Sequence, residues 1–470
     1  MKNITRLSYA SALFFLSIAV IFSSYSYIYS QEDSDIQTIE GIKLYDPNLK
    51  VELVTSGLDF PTTMAFLGPS DFLILEKSGT VKRVMDGKVI DKPLLKVDVS
   101  VKDERGLLGI AVSKKENSSN TKTTQNTDLT HNVFLYYTIC KSKNTDCENQ
   151  INKYELDNKN NALVNQKLLL AIPSFPDPAH IGGIIDIGPD NNLYFTVGNF
   201  QNTIPDEPYK TKTQNFEDGK PVDGRAGILR MTQEGKPIGE GILGNEFPLN
   251  LYYAYGVKNS FGIDFDPITG KLWFTENGPK YGDEVNLAEP GSNSGSDKIF
   301  GIWRVNEEGK KLNADDNEKG KQLKETNGKE NGEFVTVMQD HPEDLVYFNG
   351  KGHYIHPEFI WDKSVAPTAL LFFDSDKLGS QYKNDIFVGS VDAGRIFHFD
   401  LNKNRTGLDL QGSLADKIAT DSTEYGDILF AEGFSIITDL KHGPDGSLYV
   451  VSGLKSKGEK NGAIYRIVPS

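Results

Sequence analysis

Among the seven histidines of the chain, His180 has the setting best suited to chemistry. It lies in PAHIGGIIDIGPD, between a proline-rich approach and a Gly-Gly pair that opens a strand-like run. An imidazole carried on such a loop accepts a proton near neutral pH, which is the task of a general base. No serine-nucleophile motif accompanies it, and no HxH or HExxH spacing offers a zinc site. A second constellation lies in YAYGVKNSFGIDFDPITGKLWFTENGPKYGDEVNLAEPGSNSG. Lys258 and Asn259 precede one strand there, Asn277, Gly278 and Pro279 follow the next, and the pair Asp283 and Glu284 comes shortly after. Carbonyls of a Gly-Pro turn with carboxylates and amides nearby are oxygen ligands of the kind that hard Ca²⁺ takes.

These residues sit in a repeated frame. GPDNNLYFTVGN at 188–199, DPITGKLWFTENG at 266–278 and GPDGSLYVVSG at 443–453 share one phrase, a Gly/Pro/Asp/Asn turn followed by a short aromatic and β-branched strand. Looser copies begin near Phe72, Phe134 and Ile386, and several run on through a glycine turn into a second strand, as in NGAIYRIV. The pattern predicts an all-β chain, a six-bladed β-propeller with four-stranded antiparallel blades, over residues 49–470. The copies are spaced 62, 59, 79, 114 and 62 residues apart, against about 40 to 50 for a bare blade, so the surplus belongs to loops. Such loops gather at one mouth of a propeller channel, where ligands bind. Within the longest step, a charged insertion spans about 297–352, and its stretch from Asn306 to Glu333 holds fourteen charged residues and no aromatic. That composition does not bury enough surface to order itself.

The chain has 470 residues with 50 basic and 65 acidic side chains, a net charge of −15, the wrong sign for a surface that binds phosphate backbones. Nucleic acid is thereby excluded as a partner. Lys2 and Arg6 precede an apolar run from Leu7 to about Ile28, so residues 1–30 read as a secretory signal or an uncleaved signal anchor, followed by a linker over 31–48. Either form places the bulk of the chain outside the cytoplasm, and a membrane enters only through such an anchor. The two cysteines, Cys140 and Cys147, flank a short polar loop between strand-like runs, a spacing that suits a disulfide pinning a hairpin in an oxidising compartment.

Taken in order, ERGLLGIAV, HIGGIIDIGPDNNLYFTVGN, ILRM, YAYGVKNSFGIDFDP, WFTENGPKYGDEVNL, SVAPTALLFF, DIFVGSVDAGRIFHFDL and DLKHGPDGSLYVV resemble the soluble quinoprotein glucose/sorbosone dehydrogenases, a family that includes the aldose sugar dehydrogenases. The resemblance covers about residues 50–468. It implies a six-bladed propeller that oxidises the anomeric hydroxyl of a sugar by hydride transfer to pyrroloquinoline quinone (PQQ), assisted by Ca²⁺. Carried over by position, it implies His180 as the catalytic base and Glu104, Lys258, Asn259, Asn277 and Thr368 as cofactor contacts. It further implies Gly278 and Pro279 as carbonyl ligands of the catalytic Ca²⁺, with Asp283 and Glu284 near a second Ca²⁺.

Several positions depart from the family pattern. Ala179 replaces an Asp, Ile184 an Arg, Lys258 an Arg and Glu104 a Gln, while Asp392 stands for a Lys and Ile436 and Thr438 for two Arg. PQQ carries three carboxylates, and these exchanges remove cations that would pair with them, Glu104 and Asp392 adding repulsion. Two alternatives follow, of which the first is a propeller that has lost the quinone and binds carbohydrate or protein. A metal-dependent hydrolase on the same channel is the other, and it has less support because no acidic and amide cluster recurs across the repeats.

Overall fold

The computed structural model describes residues 41–115, 129–142, 145–174, 177–201, 210–301, 341–453 and 461–470. The leader read over 1–30 and the charge-dense stretch from Asn306 to Glu333 lie outside the described residues. The described chain is an all-β propeller whose strands fall into six sheets. Each sheet contributes one strand to an inner ring: Pro61–Gly68, Leu107–Lys114, Gly182–Ile187, Gly262–Phe265, Pro367–Phe373 and Ile436–His442. Each of these strands neighbours the next, and the last returns to the first.

The repeated phrase supplies the second strand of its sheet, and its composition follows from where that strand lies. Every residue of Leu193–Val197 and of Leu272–Glu276 is buried. A strand sandwiched between two neighbouring sheets buries both faces, so it reads as a continuous apolar run and not as an alternation. The alternation survives in the partners. Leu193, Phe195 and Val197 join Phe134 and Tyr136 of the preceding sheet, while Tyr194 joins Leu272 and Phe274 of the following one. Likewise Leu448 and Val450 pack with Phe387 and Phe430, whereas Tyr449 and Val451 pack with Phe72 and Ile74.

Two sheets have four strands, and the others have five or six. The sequence expectation of uniform four-stranded antiparallel blades is corrected here. Ser292–Asn293 and His353–Tyr354 extend one sheet in parallel, and Ile418–Ala419 extends another, because long insertions lay their flanks along open sheet edges. Within the stretch read as a linker, Lys43–Leu44 pairs with Glu432 and Ala431. Leu49–Leu58 pairs antiparallel with Gly462–Pro469, so the two ends of the described chain close a single sheet. Cys140 and Cys147 stand opposite each other on adjacent strands and form a disulfide. The buried guanidinium of Arg105 packs against it, with Nη1 3.2 Å from the Cys147 sulfur.

Among the described residues, cavities lie toward either end of the inner strands. Near the strand ends, about 360 Å³ is lined by residues from all six strands, including Asp186, Asp264 and Lys441. Lys441 Nζ pairs with Asp439 at 3.3 Å, and its side chain is 29% exposed, a surface that opens into this cavity. Burial, and then the charge of Asp186, pushes Asp264 up to about 7, and Lys441 opposes that rise. A carboxyl held above its unfolded value near 4 loses stability as pH rises through that interval, because only the unfolded chain ionises there. Removing Lys441 pushes the folded carboxyls further up. Lys441→Met is expected to cost about 3 kcal/mol in urea unfolding at pH 8 and clearly less at pH 4; an equal loss at both pH values would contradict this account.

Candidate functional site

The other cavity, of about 390 Å³, opens at the starts of the same six strands and is lined by His180, Lys258, Asn259, Asn277, Gly278, Glu104 and Thr368 among others. His180 sits just before Gly182–Ile187 with a left-handed φ of 52°. Its loop is held from two sides. Glu104 Oε2 accepts the Ile181 N–H at 3.1 Å, Asn259 Oδ1 accepts the Gly182 N–H at 3.0 Å, and Asn259 Nδ2 donates to Glu104 Oε2 at 3.2 Å. Glu104 and Asn259 therefore line the cavity, but their polar atoms position the histidine loop. Glycine at 198 is required for the same reason, since a Cβ there would stand 2.0 Å from the His180 carbonyl oxygen.

The protonation of His180 follows from its neighbours. Asn199 Nδ2 donates to Asp297 Oδ1 at 2.9 Å, and Asn199 Oδ1 accepts the Gln201 N–H at 3.1 Å, which sets the amide's orientation. Asn199 Oδ1, 3.0 Å from His180 Nδ1, is thus an acceptor, so Nδ1 carries the proton. The lone pair lies on Nε2, and it faces Lys258 Nζ at 3.1 Å. Burial, and then the Lys258 charge, lowers the His180 pKa to about 4. His180 is a neutral imidazole at physiological pH, with its basic nitrogen against Lys258 Nζ.

Lys258 is itself buried, at 5% exposure. Its Nζ donates to the Gly278 carbonyl at 3.1 Å and the Asn277 carbonyl at 3.3 Å, besides His180 Nε2. Three acceptors match the three N–H bonds of an ammonium, which is the protonated form. Burial lowers its pKa, and Asp297, Glu104, Glu276 and Asp283 oppose that shift. Glu276 also accepts the Lys258 backbone N–H at 2.6 Å and the Ser294 hydroxyl at 2.6 Å.

The remaining expected residues divide. Asn277 Nδ2 donates to the Pro367 carbonyl at 3.1 Å, while its Oδ1 is buried without a protein partner. Thr368 donates to the Ile437 carbonyl at 2.5 Å, across to the next inner strand. Pro279, Asp283 and Glu284 do not line the cavity. Asp283 Oδ1 accepts the Gly278 N–H, and Oδ2 accepts Ser364 Oγ and the Val365 and Ala366 N–H groups, at 2.7 to 2.8 Å. Glu284 accepts the Gly301 N–H and Asn286 Nδ2, and burial pushes its pKa up to about 7. Asp392 is exposed and pairs with Arg395, so it presents no bare charge to the pocket. Asn199, Asp297 and Glu276 were not singled out in the sequence. Asn199 had a signal, because it ends the repeated phrase as Gly278 does; Asp297, 117 residues from His180 in the chain, had none.

The wall facing Lys258 tests the family's cofactor. Phe60, Thr62, Val391, Ile436 and Thr438 lie there, and among the described lining residues the only cations are Lys77 and Lys258. Three carboxylates set against that neutral wall would each cost several kcal/mol, as buried anions do without partners. A Ca²⁺ at its usual distance of about 2.3 to 2.6 Å from the Gly278 carbonyl would meet the Lys258 ammonium. The described residues do not fit a tricarboxylate quinone with a divalent cation. Gly198→Ala is expected to displace His180 and to lower stability by about 1 to 3 kcal/mol in urea unfolding; an unchanged midpoint would show that this close approach is relieved at no cost.

The comparisons agree with this architecture. The family model for Glucose / Sorbosone dehydrogenase matches residues 58–330 and 342–466. The aldose sugar dehydrogenase YliI of Escherichia coli K12 is 23% identical over 424 residues, 90% of this chain and 93% of its own. Quinoprotein glucose dehydrogenase B of Acinetobacter calcoaceticus is 28% identical over 283 residues, 55% of this chain and 54% of its own. In structure, the apo form of the soluble aldose sugar dehydrogenase of Escherichia coli superposes with a TM-score of 0.60 at 20% identity, covering 90% of this chain and all of that one. The PQQ-bound aldose sugar dehydrogenase of Streptomyces coelicolor gives 0.57 at 21% identity, covering 90% and 98%. The chain belongs to the Glucose / Sorbosone dehydrogenase family.

Proposed function

We propose that the protein is an extracytoplasmic aldose oxidoreductase, with each of its six sheets as one blade and the pocket at the strand starts as its sugar site. The observation that carries this reading is the neutral His180 in the pocket lining, whose Nδ1–H is held by Asn199 and whose Nε2 lone pair meets Lys258 Nζ. The anomeric hydroxyl enters between the two side chains: His180 Nε2 gives up the Lys258 N–H and takes the hydroxyl proton, and the N–H so released donates to the oxygen left behind. As the C1–O bond becomes a carbonyl, the C1 hydrogen leaves with its electron pair to a two-electron acceptor, and the sugar becomes a lactone. The neutral wall at Ile436 and Thr438 favours an acceptor of little negative charge, such as an uncharged quinone, over PQQ. The Cys140–Cys147 disulfide supports an oxidising compartment.

Aldose-dependent reduction of an uncharged benzoquinone is the direct test. Purified protein is expected to reduce it, His180→Ala to lose about 100-fold or more, and PQQ with Ca²⁺ to add less than twofold. Absence of sugar oxidation with either acceptor sinks the assignment, and strong activation by PQQ overturns the choice of acceptor. The pH profile gives a second test. A base with a pKa of about 4 stays unprotonated across the neutral range, so the rate is expected to hold from pH 8 to 5 and to fall only as pH drops through about 4; a fall centred near 6.5 would show that the ring is not shielded by burial and Lys258.

A further inference from the structure

The carbonyl turn that resembles a calcium cradle is already filled by the protein's own cation. Lys258 Nζ lies 3.1 Å from the Gly278 oxygen and 3.3 Å from the Asn277 oxygen, and its third N–H meets His180 Nε2. We propose that Lys258 is the resident cation of this pocket and that the site orients and polarises an uncharged polyol oxygen without any divalent metal. Its setting is built for a fixed monovalent charge. The side chain is enclosed, its backbone N–H is held by Glu276, and Glu104, Glu276, Asp283 and Asp297 surround it. A metal would supply open coordination positions, whereas this ammonium supplies one directed N–H, the one now on His180 Nε2, which turns to a sugar oxygen when that nitrogen takes up the sugar's proton. Asp283 and Glu284, the carboxylates nearest this turn in the sequence, spend their oxygens on backbone and side-chain donors.

This inference deepens the proposed sugar site, and its test needs no sugar. In protein carrying isotope-labelled histidine, the His180 ring signals report the midpoint of its titration. Wild-type protein is expected to show the same signals in EDTA and in millimolar Ca²⁺. In Lys258→Met, which keeps the stem and removes the charge, the midpoint is expected to rise from about 4 toward the ordinary histidine value. In Lys258→Ala, ethylammonium is expected to bring it back down, while ethylamine-free buffer of equal ionic strength does not. A His180 signal that moves when Ca²⁺ is added to wild-type protein would overturn the inference, as would an unchanged midpoint in a folded Lys258→Met. If the Lys258 variants fail to fold, the calcium titration of wild-type protein decides alone. If these results hold while no aldose is oxidised, Lys258 is the resident cation and only the sugar reading fails.

Discussion

The site depends on one enclosed charge. Lys258 places an ammonium where little water reaches it, so its surroundings must supply most of what solvent would. The carbonyls of Asn277 and Gly278 and the ring nitrogen of His180 accept its three N–H bonds, and four carboxyl-bearing side chains lie around it. The same charge then governs its neighbours. It helps to keep His180 neutral, and it lowers the otherwise raised pKa values of Glu104, Glu276 and Asp297.

The propeller is what makes such a cluster affordable. His180 precedes one inner strand, Asn259 precedes the next and Asn277 follows the strand after it, so residues far apart in the chain arrive at one rim. The apolar layers between successive sheets hold that rim rigid, because each second strand is packed on both faces. Glu104 shows the coupling most directly. Its carboxylate binds the histidine loop, and the next residue, Arg105, anchors against the disulfide. The staple on the hairpin and the orientation of His180 thus share one short stretch of chain.

Much of this is legible in the sequence. The turn-and-aromatic phrase marked the middle strands because burial on two faces demands continuous apolar residues, and the Cys140–Cys147 spacing marked its hairpin. His180 was legible from its Gly-Gly context, and Lys258, Asn259, Asn277 and Thr368 do reach the pocket wall. Other readings depended on contacts that no local pattern carries. Glu104 reads as a bare charge in the sequence, yet its half-buried carboxyl is engaged by the Ile181 N–H and Asn259 with its pKa raised by desolvation, and Asp392 is paired with Arg395. The sheets also carry more strands than a uniform repeat implies, since the flanks of insertions leave no periodic signal.

By itself the sequence determined the all-β repeat, the hairpin disulfide, the family and the loop that bears His180. Each rests on local composition or spacing, and such properties are written along the chain. Tertiary structure alone decided that Asn199 and Asp297 set the tautomer of His180 and that Lys258 fills the Gly278 turn. Hydrogen bonds between residues 19 to 98 positions apart depend on which strand starts meet at the rim. That meeting is set by the closure of the ring and by the packing between its sheets.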